Sequence, residues 1–120
     1  MSIKKKNTLG EIHISNEAIA SVVADSTLEC YGVVGIASKG DIRERIYKLL
    51  TKKEYSKGIF AQQVNNEIVV SVYIVVAFGC KVTEVLSQVQ KKVKYVLEKT
   101  FETKVKQVNV YVQALQRIDN

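Results

Sequence analysis

The chain has 120 residues, 47% apolar and 25% charged, enough for one domain with its own core and unlike a disordered or collagenous polypeptide. Two distant cysteines, Cys30 and Cys80, give neither a disulfide framework nor a CxxC pair, and the longest nearly apolar run, Ile68 to Phe78, is well short of the ~20 residues of a membrane-spanning helix. The net charge of +6 is uneven: Lys4, Lys5 and Lys6 are basic, residues 10–38 are acidic through Glu11, Glu17, Asp25 and Glu29, and segments 39–57 and 81–106 each carry about +4, a pattern that favours an anionic or acidic partner or a solvated face.

The opening Met1-Ser-Ile-Lys-Lys-Lys6 is not a signal peptide, which points to the cytosol and to reduced thiols. Residues 1–9 are expected as a flexible basic tail, 10–115 as a single domain and 116–120 as a C-terminal tail. Gly10-Glu-Ile-His-Ile-Ser15 alternates, with Ile12 and Ile14 on one side, and predicts a short half-buried strand. Ser15 suits a helix N-cap with Glu17 in the first turn, and Ile14 and Ile19 have the spacing of a hydrophobic staple. The apolar face of Ala18, Ile19, Val22 and Val23 runs on towards Cys30, with Gly32 as the stop.

Gly35 and Gly40 have the spacing of a phosphate-binding loop. Such a loop continues with Lys and then Ser or Thr, to meet phosphate and magnesium. Asp41 and Ile42 stand there instead, so the spacing is coincidental. Asp41 and Glu44 read better as a helix start, followed by Ile42, Ile46, Leu49 and Leu50 on one face of a short basic helix. Arg43, Arg45, Lys48, Lys52 and Lys53 accompany it.

Asn65-Asn66 separates two extended stretches and predicts a tight hairpin, because asparagine tolerates positive φ. The second stretch is the strongest signal in the chain. Ile68, Val70, Val72, Ile74, Val76 and Phe78 fill one face, while Val69, Tyr73, Val75 and Ala77 make the other mostly apolar as well. Such a strand is central and covered on both sides, or offers one face to a partner. From Lys81 to about Glu102, Val82, Val85, Leu86, Val89, Val93, Val96 and Leu97 form the stripe of a long helix. Lys91 lies opposite the stripe, Lys92 flanks one edge and Lys94 falls on the other side, so the lysines are spread rather than aligned. Lys104 to Leu115 closes the domain as a strand.

The order β-α-(short α)-β-β-α-β predicts an α+β fold: a two-layer domain with a mixed sheet of about four strands and helices chiefly on one face. Val69, Tyr73, Val75 and Tyr111 are candidates for its uncovered face and hence for a protein interface. Arg43, Arg45, Lys48, Lys52, Lys53, Lys91, Lys92 and Lys94 are candidates for a basic contact patch. His13 has no partner for a metal pair or triad in its neighbourhood, and no HExxH, DxD or paired Cys/His spacing occurs. No catalytic, cofactor or metal site is expected. The readings that remain are a contact protein, a nucleic-acid binder using segments 39–57 and 81–106, and a peripheral binder of anionic lipid.

Five stretches in order are similar to the alkaline-shock (envelope stress response) protein family of Gram-positive bacteria, and most of all to its YloU-like branch. They are Gly10-Glu-Ile-His-Ile-Ser15 with Ala18-Ile-Ala20, Tyr31-Gly-Val-Val-Gly35, Tyr73-Ile-Val-Val-Ala-Phe-Gly79, Val85 through Val96, and Val108-Asn-Val-Tyr-Val112. The resemblance implies a small non-enzymatic cytosolic protein that self-associates and sits near the membrane through an anchored partner. It also implies a kinase-like genomic neighbour and a link to lipid metabolism. The family's Thr-Gly-Leu after the long helix stands here as Thr100-Phe-Glu-Thr-Lys104, and its late Val-x-Gly as Val112-Gln-Ala114, so the helix exit must be made without glycine.

Overall fold

The computed structural model describes residues 2–7, 10–38 and 49–117. Along the chain these form strands β1 (Ser2–Asn7) and β2 (Gly10–Ser15), helix α1 (Asn16–Leu28), strand β3 (Val33–Ile36), a 3-10 helix (Lys52–Lys57), strands β4 (Ile59–Val64) and β5 (Glu67–Ala77), helix α2 (Val82–Phe101) and strand β6 (Lys104–Gln116). Where a tail was expected over 1–9, β1 pairs antiparallel with β2, from Ser2 opposite Ser15 to Asn7 opposite Gly10. A lysine run has no hydrophobic period to read, so its pairing rather than its own pattern defines this strand. The short helix expected after Asp41 falls on 41–48, outside the described residues. Its last two apolar positions are extended chain: Leu49 bridges Ala37, and the Leu50 N–H donates to the Ile36 carbonyl at 2.8 Å.

The four-stranded sheet is organised around β5. Asn65 and Asn66 both hold positive φ, 50° and 68°, and close β4 onto β5 in a two-residue turn whose twist suits the hairpin. Strand β6 runs parallel along the whole of β5, from Lys104 beside Glu67 to Gln116 beside Ala77. Strands β3 and β4 must therefore share the opposite edge, and they lie there end to end. Val33 to Ile36 faces Val76 to Ile74, while Ile59 to Val64 faces Val72 to Glu67. Tyr73 sits at the joint, its carbonyl accepting from Ala37 N–H at 2.9 Å and its N–H donating to the Gly58 carbonyl at 3.0 Å. The two strands thus act as one edge interrupted between Ala37 and Gly58. Gly58 is needed at that joint, since a Cβ there would run into the Ala37 carbonyl oxygen.

Strand β3 is missing from the sequence expectation, which gave Gly32 only as the stop of the first helix. Gly32 does supply a left-handed turn, with φ 93°. The chain then extends at once, and Gly35 is a strand residue opposite Val75, not part of a phosphate loop.

Both α-helices pack on one face of the sheet. The Ser15 hydroxyl accepts from Ala18 N–H at 3.1 Å to cap α1, with Ile14 and Ile19 buried beside the cap as a staple. From α1, Ile19, Ala20, Val23 and Ala24, and from α2, Val85, Val89, Val93 and Leu97, meet Ile68, Val70, Val72, Ile74 and Val76 of β5 in one core. Helix α2 leaves through Glu102 at φ 49°. A non-glycine residue thus takes the left-handed position glycine usually fills, with the modest steric cost that entails.

Candidate functional site: the outer face of the sheet

Alternation along β5 sends Val69, Ser71 and Tyr73 to the face away from the helices. Register then places Phe60 of β4 beside Ser71, Asn109 of β6 on its other side, and Tyr111 beside Tyr73. Three rings form a row across the sheet. Phe60 meets Tyr73 edge-on at 6.1 Å between centroids, and Tyr73 stacks on Tyr111 at 4.9 Å with 21° between planes. These are favourable aromatic geometries. Next to the row lies a polar strip, in which the Gln107 amide donates to Asn109 and Asn109 Nδ2 donates to Ser71 Oγ at 3.4 Å. Rings and strip line an open depression of about 490 Å³ that Gln62, Ser56 and Asn16 complete at the β4 edge.

Of the four residues expected on this face, Val69 and Tyr73 are half-buried and Tyr111 is 46% exposed. Val75 is a correction, for it is wholly buried. Its register partner is Gly35, over which Leu49 lies so closely that a Cβ on Gly35 would come 2.8 Å from Leu49 Cδ2. Gln113 Nε2 also reaches the Ser38 carbonyl at 2.8 Å. The returning chain covers this end of the face, an outcome decided by an excursion far away in sequence. Phe60, 40% exposed, belongs to the face and was not singled out from sequence. The signal available was its position in the hairpin register, which puts it opposite Ser71.

The basic residues do not gather in one place among those described. Arg43, Arg45 and Lys48 lie outside the described residues. Lys52 and Lys53 ride on the 3-10 helix, which packs against α1. Lys91 and Lys92 line a second depression, of about 470 Å³, with Glu29, Cys30, Tyr31, Gln88 and Tyr95, which Lys94 does not join. Lys92 Nζ is 3.0 Å from Glu29 Oε2. The hydrogen bond and charge of Glu29 raise the Lys92 ammonium above its ordinary pKa. A lysine so paired is less free to serve an anionic ligand.

Cys30 donates its S–H to the Ser26 carbonyl at 3.5 Å. Its thiol is pushed up chiefly by burial, an effect Lys92 opposes and Glu29 reinforces. A raised thiol is a poor nucleophile at neutral pH. Among the described residues no three His, Cys, Asp or Glu side chains converge as a metal set. No described helix is long and apolar enough to cross a membrane.

Against known proteins, the chain is 40% identical to the Bacillus subtilis protein YloU over 116 residues, covering 97% of each. It is 39% identical to the Streptococcus pyogenes protein Spy1614, covering 97% of this chain and 96% of that one. Among solved structures, a MamM CTD variant superposes with a TM-score of 0.51 at 14% identity, over 85% of this chain and 100% of the other, which shows a shared fold. A family model of cell envelope-related function matches residues 4–117. With nearly the whole chain matched, it belongs to the alkaline shock protein 23 family, a family of cell envelope-related function.

Proposed function

We propose that the chain is a non-enzymatic, stress-associated adaptor that works through protein–protein contacts and self-association at the cytoplasmic face of the membrane. The reading rests on the outer face of the sheet, where an aromatic row lies partly exposed on the side that neither α1 nor α2 covers. Rigid aromatic surface beside a satisfied polar strip is the composition of a contact surface, with much apolar area and little side-chain entropy to lose. A second copy of the chain is the occupant we assign to it. The family's cell envelope-related function agrees with such a role, the link to the membrane running through an anchored partner and, as the resemblance implies, bearing on lipid metabolism.

Sedimentation velocity at micromolar concentration tests this. The wild type is expected to sediment as a dimer or larger. Tyr111→Glu places a charge on the exposed row, and is expected to raise the dissociation constant about tenfold or more while leaving the circular dichroism spectrum unchanged. A wild type that stays monomeric throughout overturns the self-association reading.

A further inference from the structure

Among the described residues strand β6 pairs with β5 alone, and its other edge faces away from the sheet. Which backbone groups point that way follows from β5. The Tyr73 N–H and carbonyl bond Gly58 and Ala37, and the Ala77 N–H bonds Gly32, all on the β3–β4 side, whereas the Phe78 N–H donates to the Gln116 carbonyl of β6. The even residues of β5 therefore serve β6. With Val72 paired to Val110 and Ile74 to Val112, Asn109 and Tyr111 turn their backbone groups inward, and Val110 and Val112 turn theirs to the free edge.

That edge is guarded along only part of its length. At its start, Glu98 Oε2 accepts from the Val105 N–H at 3.0 Å, and Gln90 Nε2 donates to the Val108 carbonyl at 3.2 Å. A register shift between these residues disrupts the ladder further. Lys104 and Lys106 add charge of the kind that discourages edge pairing. Past Val108 the guards stop. From Gln107 to Gln116 the chain holds no Lys, Arg, Asp or Glu, and no proline. Among the described residues, no side chain is seen capping Val110 or Val112. Tyr111 lies near the middle of this uncharged window, where the aromatic row reaches the edge.

We propose that this window of β6 is where a second copy of the chain joins, antiparallel and edge to edge about a twofold axis at Tyr111. The proposal rests on the self-association reading but places the contact at the β6 edge, where the aromatic row ends, rather than across the outer face. Val110 exchanges both backbone hydrogen bonds with the partner's Val112, and the reverse. Tyr111 then faces its own copy as a non-hydrogen-bonded pair, and the two aromatic rows meet end to end in one continuous sheet. An uncharged stretch sets no like charges against each other in its own antiparallel copy, and a second register shift after Val112 ends the pairing.

The test compares edge pairing with stacking of the outer faces. In a Cys30→Ser, Cys80→Ser background, Tyr111→Cys is oxidised with copper–phenanthroline and read on a non-reducing gel. A non-hydrogen-bonded pair holds its Cα atoms about 4.5 Å apart, within disulfide reach, whereas stacked sheets stand about 10 Å apart, beyond it. Val110→Pro, in the wild-type background, removes an outward N–H without taking a bond from the β5 ladder. Because the twofold counts that donor in both copies, dimerisation is expected to weaken about tenfold or more. Phe60→Glu, on the far side of the sheet, is expected to leave the dimer intact. A disulfide-linked dimer with this pattern upholds edge pairing. No disulfide, with a dimer that survives Val110→Pro and is lost in Phe60→Glu, overturns edge pairing and leaves self-association standing. A strictly monomeric wild type, including one whose edge takes a segment of another protein, overturns both. If Val110→Pro fails to fold, the disulfide alone decides.

Discussion

On the helix side of β5, Ile68, Val70, Val72, Ile74 and Val76 are each 1% exposed or less, while on the other side Val69, Ser71 and Tyr73 remain partly open. Both faces are mostly apolar in sequence, and both lie on one strand. What separates them is the third dimension: α1 and α2 cover one face, while on the other the described cover is Leu49, over Gly35 and Val75. Hydropathy sets which residues favour burial, and the placement of the connections decides which of them are buried.

The largest expected effect tests that asymmetry directly. Ile74→Ala leaves a cavity in the closed layer and is expected to destabilise the monomer by about 2–5 kcal/mol in urea unfolding. Val69→Ala, on the open face, is expected to cost about 1 kcal/mol or less. Equal costs would mean that both faces are equally covered. A Val69→Ala cost that grows with protein concentration would mean that assembly supplies the missing cover.

A smaller effect of opposite sign lies inside the closed layer. Thr27 is wholly buried on α1 and its hydroxyl finds no hydrogen-bond partner among the described residues. A buried hydroxyl without a partner costs stability, and an apolar side chain of the same shape removes that cost. Thr27→Val is expected to stabilise the fold by about 1 kcal/mol, seen as a shift of the urea midpoint with the slope unchanged. A loss of stability would show that the hydroxyl is satisfied, and that the inner layer admits water there.

Much of this arrangement was legible in the sequence because its signals are local. The Ser15 cap, the Asn65-Asn66 turn and the valine stripe of α2 each depend on neighbours within a few residues, and each forms where expected. The α+β architecture follows from their order. Strand β3 was not legible, since Val33-Val-Gly-Ile36 is short and gains its place only by continuing the edge that β4 begins. Val75 was misplaced on the open face for a related reason: its cover arrives from Leu49, in a segment whose pattern resembles a helix. Strand β1 carries lysines where a period would be read. The candidate face was half legible, through the alternation that exposes Val69, Tyr73 and Tyr111. The row they make with Phe60 depends on register across three strands, which no single strand encodes.

The smallest effect concerns the margin of the closed layer, where Cys30 packs partly buried against the core at the end of α1. Burial raises its thiol above the ordinary 9.0, with Lys92 pulling the other way. The unfolded chain therefore releases this proton first as pH rises, and binds fewer protons than the folded one between the two pKa values. Stability falls with pH in that alkaline window and is unaffected below it. In a Cys80→Ser background, iodoacetamide should alkylate Cys30 with a pH midpoint above 9.0. Lys92→Gln removes the opposing charge and should move the midpoint higher still. A midpoint below the ordinary value would place Cys30 in water, and the boundary between the closed layer and solvent would have to be drawn deeper along α1.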